Sequence, residues 1–190
     1  MRRQRVWQVA HTESDLERVT SFALDESTGE VVLGTHGGLV SIMSTRTDLT
    51  NVISNTPQTT VTWFNSRVSS ISLSRCGEEK TIVCCSMGNE RHSGAVHLAR
   101  FVNSENLDGG PSLYMAMRPS TKQALLCSTT SRYQPDVCAI GGEDVIIFTR
   151  SLNENRYLKT DTCCMSLEFL GPHTLVSGGR NGVMKYICHL

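Results

Sequence analysis

Long apolar runs are missing from this 190-residue sequence, and so is any surplus of charge. The longest apolar stretches, such as residues 145–148, are only a few residues long, whereas a membrane-spanning helix needs about 20. Lys and Arg together number 18, as do Asp and Glu, so the formal net charge is zero at pH 7. A neutral chain is poorly suited to binding nucleic acid through counterion release. We therefore expect neither a membrane nor a nucleic acid as partner.

The sequence also lacks the motifs that hold metals and phosphates. It contains no Cys-x-x-Cys pair and no His-Glu-x-x-His motif. His92 falls in a predicted loop and His97 in a predicted strand, so we expect no zinc ion shared between them. The glycine pairs 109–110 and 178–179 fall in predicted turns, and neither leads into a helix that could bind a phosphate. We therefore predict no cofactor, no metal and no small-molecule substrate.

Eight cysteines are present, yet their spacing argues against disulfide bonds. Cys84 and Cys85 are adjacent, as are Cys163 and Cys164. Since neighbouring side chains of a strand point to opposite faces, each pair is expected to place one thiol in the core and one outward. The sequence places no His or Asp where it would activate Cys85 or Cys164 as a nucleophile. With no secretory signal after the N-terminal arginines, we expect reduced thiols in a cytoplasmic or nuclear protein.

What the sequence does contain is a series of short runs rich in Val, Ile and Leu, separated by Gly, Asn, Asp and Ser. This pattern predicts an all-β protein with three sets of four strands and a final set of three. The predicted strands are 19–24, 30–34, 38–43, 59–64, 68–73, 81–86, 95–101, 112–117, 124–129, 136–141, 145–149, 157–160, 164–169, 174–178 and 182–188. The second strands end at Gly34, Ser86, Gly141 and Gly178, at intervals of 52, 55 and 37 residues, which bracket the period of propeller blades.

A small antiparallel sheet cannot bury both of its faces alone, so successive sheets are expected to stack around an axis. We therefore predict a single β-propeller domain over residues 1–190. Its predicted blades are residues 19–64, 68–117, 124–160 and 163–190. A single sandwich or barrel of meandering strands is the alternative that the same alternation supports.

Three segments repeat one outline. Residues 175–188 run from an apolar strand through small residues and an Asn-Gly turn into an alternating strand. Residues 32–44 and 138–148 follow the same course, the latter with one residue fewer at the turn. These segments resemble the second and third strands of WD repeats. The resemblance implies a β-propeller that serves as a scaffold for protein–protein interaction.

The chain departs from the WD pattern at its signature residues. The family's closing Trp-Asp dipeptide falls on Met43-Ser44 and on Ile187-Cys188, and no clear Gly-His pair precedes any first strand. We therefore expect the side-chain hydrogen-bond network of good WD repeats to be missing. Some members of this family resemble substrate receptors of cullin-RING ubiquitin ligases, which carry a Trp-Asp-x-Arg box. Arg46 occupies the last position of such a box, and the resemblance implies a receptor or adaptor role.

Residues 5–10 form a further predicted strand before the first blade, and the last blade lacks its outer strand. This early strand either closes a ring of four blades or ends a blade of a larger propeller. We favour a partial propeller of about four blades, because WD propellers commonly have seven. The open sides are then expected to expose apolar sheet faces and to promote association.

Recognition through loops is the function that these observations favour. In a propeller, the loops that join second to third strands and those that link blades line one rim, where partners are usually bound. We therefore predict a non-catalytic scaffold that binds a protein partner, with arginines well suited to the contact. The candidate partner-binding residues are His36, Arg46, Arg67, Arg91, His92, Glu143, Asp144 and Arg180.

A propeller-fold enzyme of the hydrolase type, with its site at the central channel, is the rival interpretation. Such a site needs carboxylates on the first strands of the blades. The four predicted first strands contain only Glu168. We therefore expect no enzymatic activity.

Overall fold

The computed structural model of the chain describes most of the predicted strands and several of the turns between them. The described residues are 18–44, 59–62, 64–76, 79–88, 94, 96–102, 112–117, 124–134, 137–149 and 155–188. The predicted strand at residues 5–10 lies outside them. Within these ranges, no helix is long and apolar enough to cross a bilayer.

In the described ranges, fifteen strands form four antiparallel sheets, and the strands of each sheet pair in chain order. Sheet 1 contains β1 (Val19–Asp25), β2 (Glu30–Thr35), β3 (Leu39–Ser44) and β4 (Thr59–Thr62), and sheet 2 contains β5 (Val68–Cys76), β6 (Glu79–Ser86), β7 (Val96–Val102) and β8 (Ser112–Met117). Sheet 3 contains β9 (Cys127–Thr130), β10 (Val137–Gly141), β11 (Asp144–Thr149) and β12 (Asn155–Lys159), and sheet 4 contains β13 (Cys164–Gly171), β14 (Thr174–Gly179) and β15 (Met184–Cys188). The all-β prediction is confirmed, and each predicted strand from residue 19 onward overlaps an observed one.

Three apolar clusters fill the spaces between successive sheets. The junction of sheets 1 and 2 contains Val32, Val40, Ile42, Phe64, Val68, Ile71, Ile82 and Cys84. The junction of sheets 2 and 3 contains Val83, Cys85, Val96, Leu125, Cys138, Ile140 and Ile146. The junction of sheets 3 and 4 contains Cys127, Ala139, Val145, Ile147, Cys164, Leu167, Phe169 and Leu175. Sheets 2 and 3 are thus covered on both faces, which is typical of propeller blades and not of a two-sheet sandwich.

Side-chain hydroxyl groups connect the first strands of sheets 1 and 2 to the sheet that follows each of them. These strands, β1, β5, β9 and β13, contact one another in that order. The Thr20 hydroxyl donates to the Val68 carbonyl at 2.6 Å, and the Ser69 hydroxyl donates to the Leu125 carbonyl at 2.6 Å. Both donors lie at β-bulges, which turn the extra residue away from the regular ladder. These hydrogen bonds connect the blades without a Trp-Asp dipeptide.

The adjacent cysteines correct one prediction. Cys84 lies in the junction of sheets 1 and 2, Cys85 lies in the junction of sheets 2 and 3, and both are fully buried. Their side chains do point to opposite faces, but the expectation that one of them points outward was wrong. The reason is that both faces of sheet 2 are covered by a neighbouring sheet. Cys163 and Cys164 differ as expected, since Cys164 is buried and Cys163 is only partly buried.

Two ion pairs connect the hairpin β1–β2 to the hairpin β5–β6. Asp25 Oδ2 lies 3.2 Å from Arg75 Nη2, and Glu30 is paired with the buried Lys80. The Asp25 carboxylate also accepts a hydrogen bond from the Ser27 N–H at 3.0 Å. Burial raises the pKa of Asp25, but the hydrogen bonds of the turn and the charge of Arg75 outweigh burial and lower it overall.

This lowered pKa predicts a pH-dependent contribution to stability. The contribution is fully present above the unfolded-state pKa of about 3.9 and is lost as the pH falls through the lower folded-state value. We expect Asp25→Asn to destabilise the protein at pH 7 by about 1 kcal/mol and to approach the wild type below pH 4. Thermal unfolding between pH 3 and pH 7 measures this. Glu26→Gln, at an exposed neighbour, is the control, and a pH-independent effect of Asp25→Asn would contradict the prediction.

Candidate protein-interaction rim

The turns between second and third strands lie at the same end of the sheets as the connections between sheets. This follows from the alternating direction of antiparallel strands, and we call this end the upper rim. The described parts of the upper rim are residues 36–38, 64–67, 87–88, 142–143, 160–163 and 180–183. The lower rim, at the opposite end, carries the turns between first and second strands, such as residues 26–29 and 172–173.

Backbone hydrogen bonds position the exposed side chains of sheets 1 and 2 at the upper rim. The His36 N–H donates to the Arg18 carbonyl at 2.8 Å, and the Met87 N–H donates to the Arg67 carbonyl at 3.1 Å. The side chains of His36 and Arg67 are exposed. Both side chains therefore extend into solvent from backbone that is fixed by a hydrogen bond to another segment.

At sheets 3 and 4, Glu143 and Arg180 lie close to Cys163. The Arg180 N–H donates to the Cys163 carbonyl at 2.9 Å, and the Thr160 hydroxyl donates to the Glu143 carbonyl at 2.7 Å. Burial raises the pKa of Cys163. The nearby Cys164 and Glu143 raise this pKa further, whereas the positive charge of Arg180 lowers it. A carboxylate and a guanidinium from two different blades thus both lie near Cys163, and both side chains are exposed.

The upper rim also carries an ion pair that the sequence did not reveal. Lys185 is paired with Asp161, and the hydrogen bond and positive charge of Lys185 lower the pKa of Asp161. A small cavity, about the size of one water molecule, lies beside this ion pair and is lined in part by Thr162, Val183 and Lys185. The position of Asp161 just after a predicted strand was visible in the sequence. Its partner was not, because the pairing depends on how sheet 4 is placed against sheet 3.

The structure describes five of the eight candidate residues, and all five lie at the upper rim. They are His36, Arg67, Glu143, Asp144 and Arg180. Four of these side chains are exposed, whereas Asp144, the first residue of β11, is partly buried. Sheets 3 and 4 bring Glu143 and Arg180 to the same end of their common junction. Arg46, Arg91 and His92 lie outside the described residues.

Cys85 and Glu168 are two of the residues considered for catalysis. Cys85 is fully buried, and burial raises its pKa to about 12, so the thiol stays protonated at neutral pH. Glu168 is exposed on β13. In the part of the chain that the structure describes, no three His, Cys, Asp or Glu side chains form a group that could hold a metal ion. These residues thus give no support to the rival interpretation as a central-channel enzyme.

No protein-family model matches the sequence, and no curated protein is significantly similar to it. Solved structures do match the fold. The β-propeller domain of Cps50 (Swd1) from Myceliophteria thermophila superposes with a TM-score of 0.68 at 13% identity, covering 90% of this chain and 51% of the other. The WD40 repeats of RRP9 superpose with a TM-score of 0.68 at 11% identity, covering 94% and 49%. A chain of the mitotic checkpoint complex superposes with a TM-score of 0.63 at 16% identity, covering 90% and 52%.

These matches establish the fold. The chain has a WD-repeat-like β-propeller fold, as the repeated outline of its second and third strands predicted. It spans about half the length of the propeller chains that it matches.

Proposed function

We propose that this protein is a non-catalytic scaffold that binds a protein partner through its upper rim. The proposal is carried by a set of exposed side chains of both charges at the upper rim of sheets 2, 3 and 4. This set includes Arg67, Glu143 and Arg180. Solved structures with this fold include a checkpoint complex, which is an assembly of proteins. Loops on a rigid sheet framework are the usual location of binding residues.

The charges of the rim indicate the kind of partner. Arg67 and Arg180 supply planar guanidinium groups that can bind carboxylates with two hydrogen bonds each. Glu143, which like Arg180 lies near Cys163, supplies a carboxylate that can bind a positive group. A protein surface or peptide that carries both signs of charge fits this rim better than a polyanion does.

Alanine substitution of the rim tests the proposal. We expect the variant with Arg67→Ala and Arg180→Ala to capture its partners at least about tenfold more weakly than the wild type, because arginines at interface centres often contribute over 1 kcal/mol each. Quantitative affinity capture from cell extract, followed by mass spectrometry, measures this. The matched control carries Arg132→Ala and Glu26→Ala, which remove exposed charges at the lower rim. Equal capture by all three proteins, with unchanged melting temperatures, would contradict the proposal.

A finer proposal is that the partner belongs to a cullin-RING ubiquitin ligase. Its support is the sequence resemblance at Arg46, a residue outside the described ranges. The same capture experiment addresses it, because a ligase adaptor would then be among the proteins bound by the wild type. The free thiols of the described cysteines favour a cytoplasmic or nuclear location for this interaction.

A further inference from the structure

Each sheet has two faces that repeat along the chain. The leading face is the one that contacts the preceding sheet, and in sheet 2 it includes Ile71 and Ile82. The trailing face is the one that contacts the following sheet, and in sheet 3 it includes Val145 and Ile147. Every junction in the chain is therefore a trailing face packed against a leading face.

Among the described residues, no sheet packs on the leading face of sheet 1. Strand pairing aligns Phe22 with Leu33, as it aligns Ile71 with Cys84 and Leu167 with Ser177, so these three first-strand residues are equivalent. Phe22 is 68% exposed, whereas Ile71 and Leu167 are each 8% exposed. Leu24, on the same face as Phe22, is also exposed.

Sheet 4 has the complementary trailing face, on which no described strand of another sheet packs. In each of three sheets, the glycine near the end of the second strand pairs with one residue of the third strand. The pairs are Gly178 with Met184, Gly141 with Val145, and Gly34 with Val40, so these three third-strand residues are equivalent. Met184 is 63% exposed, whereas Val145 is 0% and Val40 is 3% exposed. Tyr186, two residues further along β15, is exposed as well. The first and last described sheets thus carry apolar faces of opposite kinds.

We propose that two copies of this chain associate head to tail, with the trailing face of sheet 4 in one copy packed on the leading face of sheet 1 in the other. The contact continues the arrangement that the chain already uses at its three internal junctions. One copy covers 51% and 49% of the length of two propeller chains that it matches, and we expect a second copy to supply the remaining blades. Two sets of four sheets give eight blades, which is within the usual range of about 4–8 for propellers.

Closure distinguishes this dimer from other modes of association. A single head-to-tail contact uses a different face of each copy and leaves one face of each copy free. The free faces are covered only if the rotation from one copy to the next closes the assembly into a ring. A chain that covers half a ring turns by about half a circle, so the second copy occupies both free faces at once. Both apolar faces are then buried, and no further copy can add.

Sedimentation and light scattering of the 190-residue chain provide the first test. We expect a mass of twice 20.9 kDa for the wild type and a monomer for both Phe22→Glu and Met184→Glu. Both residues are exposed in a single copy, so these changes leave the fold of each copy intact. Tyr157→Glu is the matched control, because Tyr157 is an exposed aromatic residue on β12, away from both free faces. A wild-type monomer, a dimer unaffected by either substitution, or an open filament would overturn the proposal.

Mixing the two variants separates head-to-tail from face-to-face association. Phe22→Glu disables only the leading face, and Met184→Glu disables only the trailing face. In a head-to-tail arrangement each variant alone is monomeric, and the mixture forms a heterodimer through the one intact junction. If like faces paired instead, one variant would remain a homodimer, which contradicts the proposal.

A cross-link gives the second measurement. Cys127 and Cys164 face each other across the junction of sheets 3 and 4, with their sulfur atoms 3.8 Å apart. Their equivalents at the proposed contact are Ser166 and Val19, by the same strand pairing. We expect a chain with Ser166→Cys and Val19→Cys to form a covalent dimer with a thiol oxidant such as diamide, which is reduced as the two thiols become a disulfide. Each single substitution should give none, and adding Phe22→Glu should abolish the cross-link. A cross-link that persists with Phe22→Glu would overturn the assigned contact.

Discussion

Replacing Phe169 by alanine is expected to lower the free energy of unfolding by about 3–5 kcal/mol, the range measured for buried aromatic residues. Phe169 is the largest fully buried side chain among the described residues. It lies in the junction of sheets 3 and 4, where Leu167 and Leu175 also pack. Its removal leaves a cavity at the place where the last sheet is held to the rest of the protein.

Urea unfolding followed by circular dichroism measures this loss. Leu170→Ala is the matched control, because Leu170 is the next residue of β13 and about half of its surface is exposed. We expect the control to change stability by less than about 1 kcal/mol. Similar losses for the two variants would show that Phe169 does not hold sheet 4 in the way described.

Gly38→Ala is expected to destabilise the protein by about 2–4 kcal/mol, for two reasons that add. Gly38 has a φ of 88°, which residues other than glycine adopt at a cost of about 1–3 kcal/mol. An added methyl group would also overlap the Phe64 carbonyl, whose carbon atom would lie at 2.7 Å. The close approach exists because the Phe64 N–H donates to the Gly38 carbonyl and brings the two backbones together.

Gly182→Ala separates the two reasons. Gly182 has a similar φ of 79°, but no atom lies within 4 Å of the added methyl group. We expect this variant to lose about 1 kcal/mol, from the backbone conformation alone. The difference between the two variants, measured by thermal or urea unfolding, reports the overlap at Phe64. Equal losses would mean that the backbone at residue 64 moves aside at little cost.

The strands could be predicted from the sequence because their two causes are local. Alternating apolar residues identify a strand face, and residues such as those at 26–29 and 180–183 identify the turns between strands. The repetition of the same set three times then indicated that the sheets stack. This reasoning needs only the spacing of residues along the chain.

The contents of the junctions could not be predicted, because they depend on which sheet covers which face. Cys84 and Cys85 illustrate this, since alternation places them on opposite faces but does not reveal that both faces are covered. The pairing of Lys185 with Asp161 at the upper rim is a second case. Both outcomes follow from the angle and distance between blades, which no short segment encodes.

The hydroxyl groups of Thr20 and Ser69 have a consequence for how such chains diverge. Each donates to a main-chain carbonyl: Thr20 to that of Val68, and Ser69 to that of Leu125. Since every residue type has a carbonyl, mutation at an acceptor position leaves the bond between strands in place, provided that the new side chain still packs. The backbone of this chain superposes on those of two WD-repeat propeller structures with TM-scores of 0.63–0.68, although only 11–16% of the residues are identical.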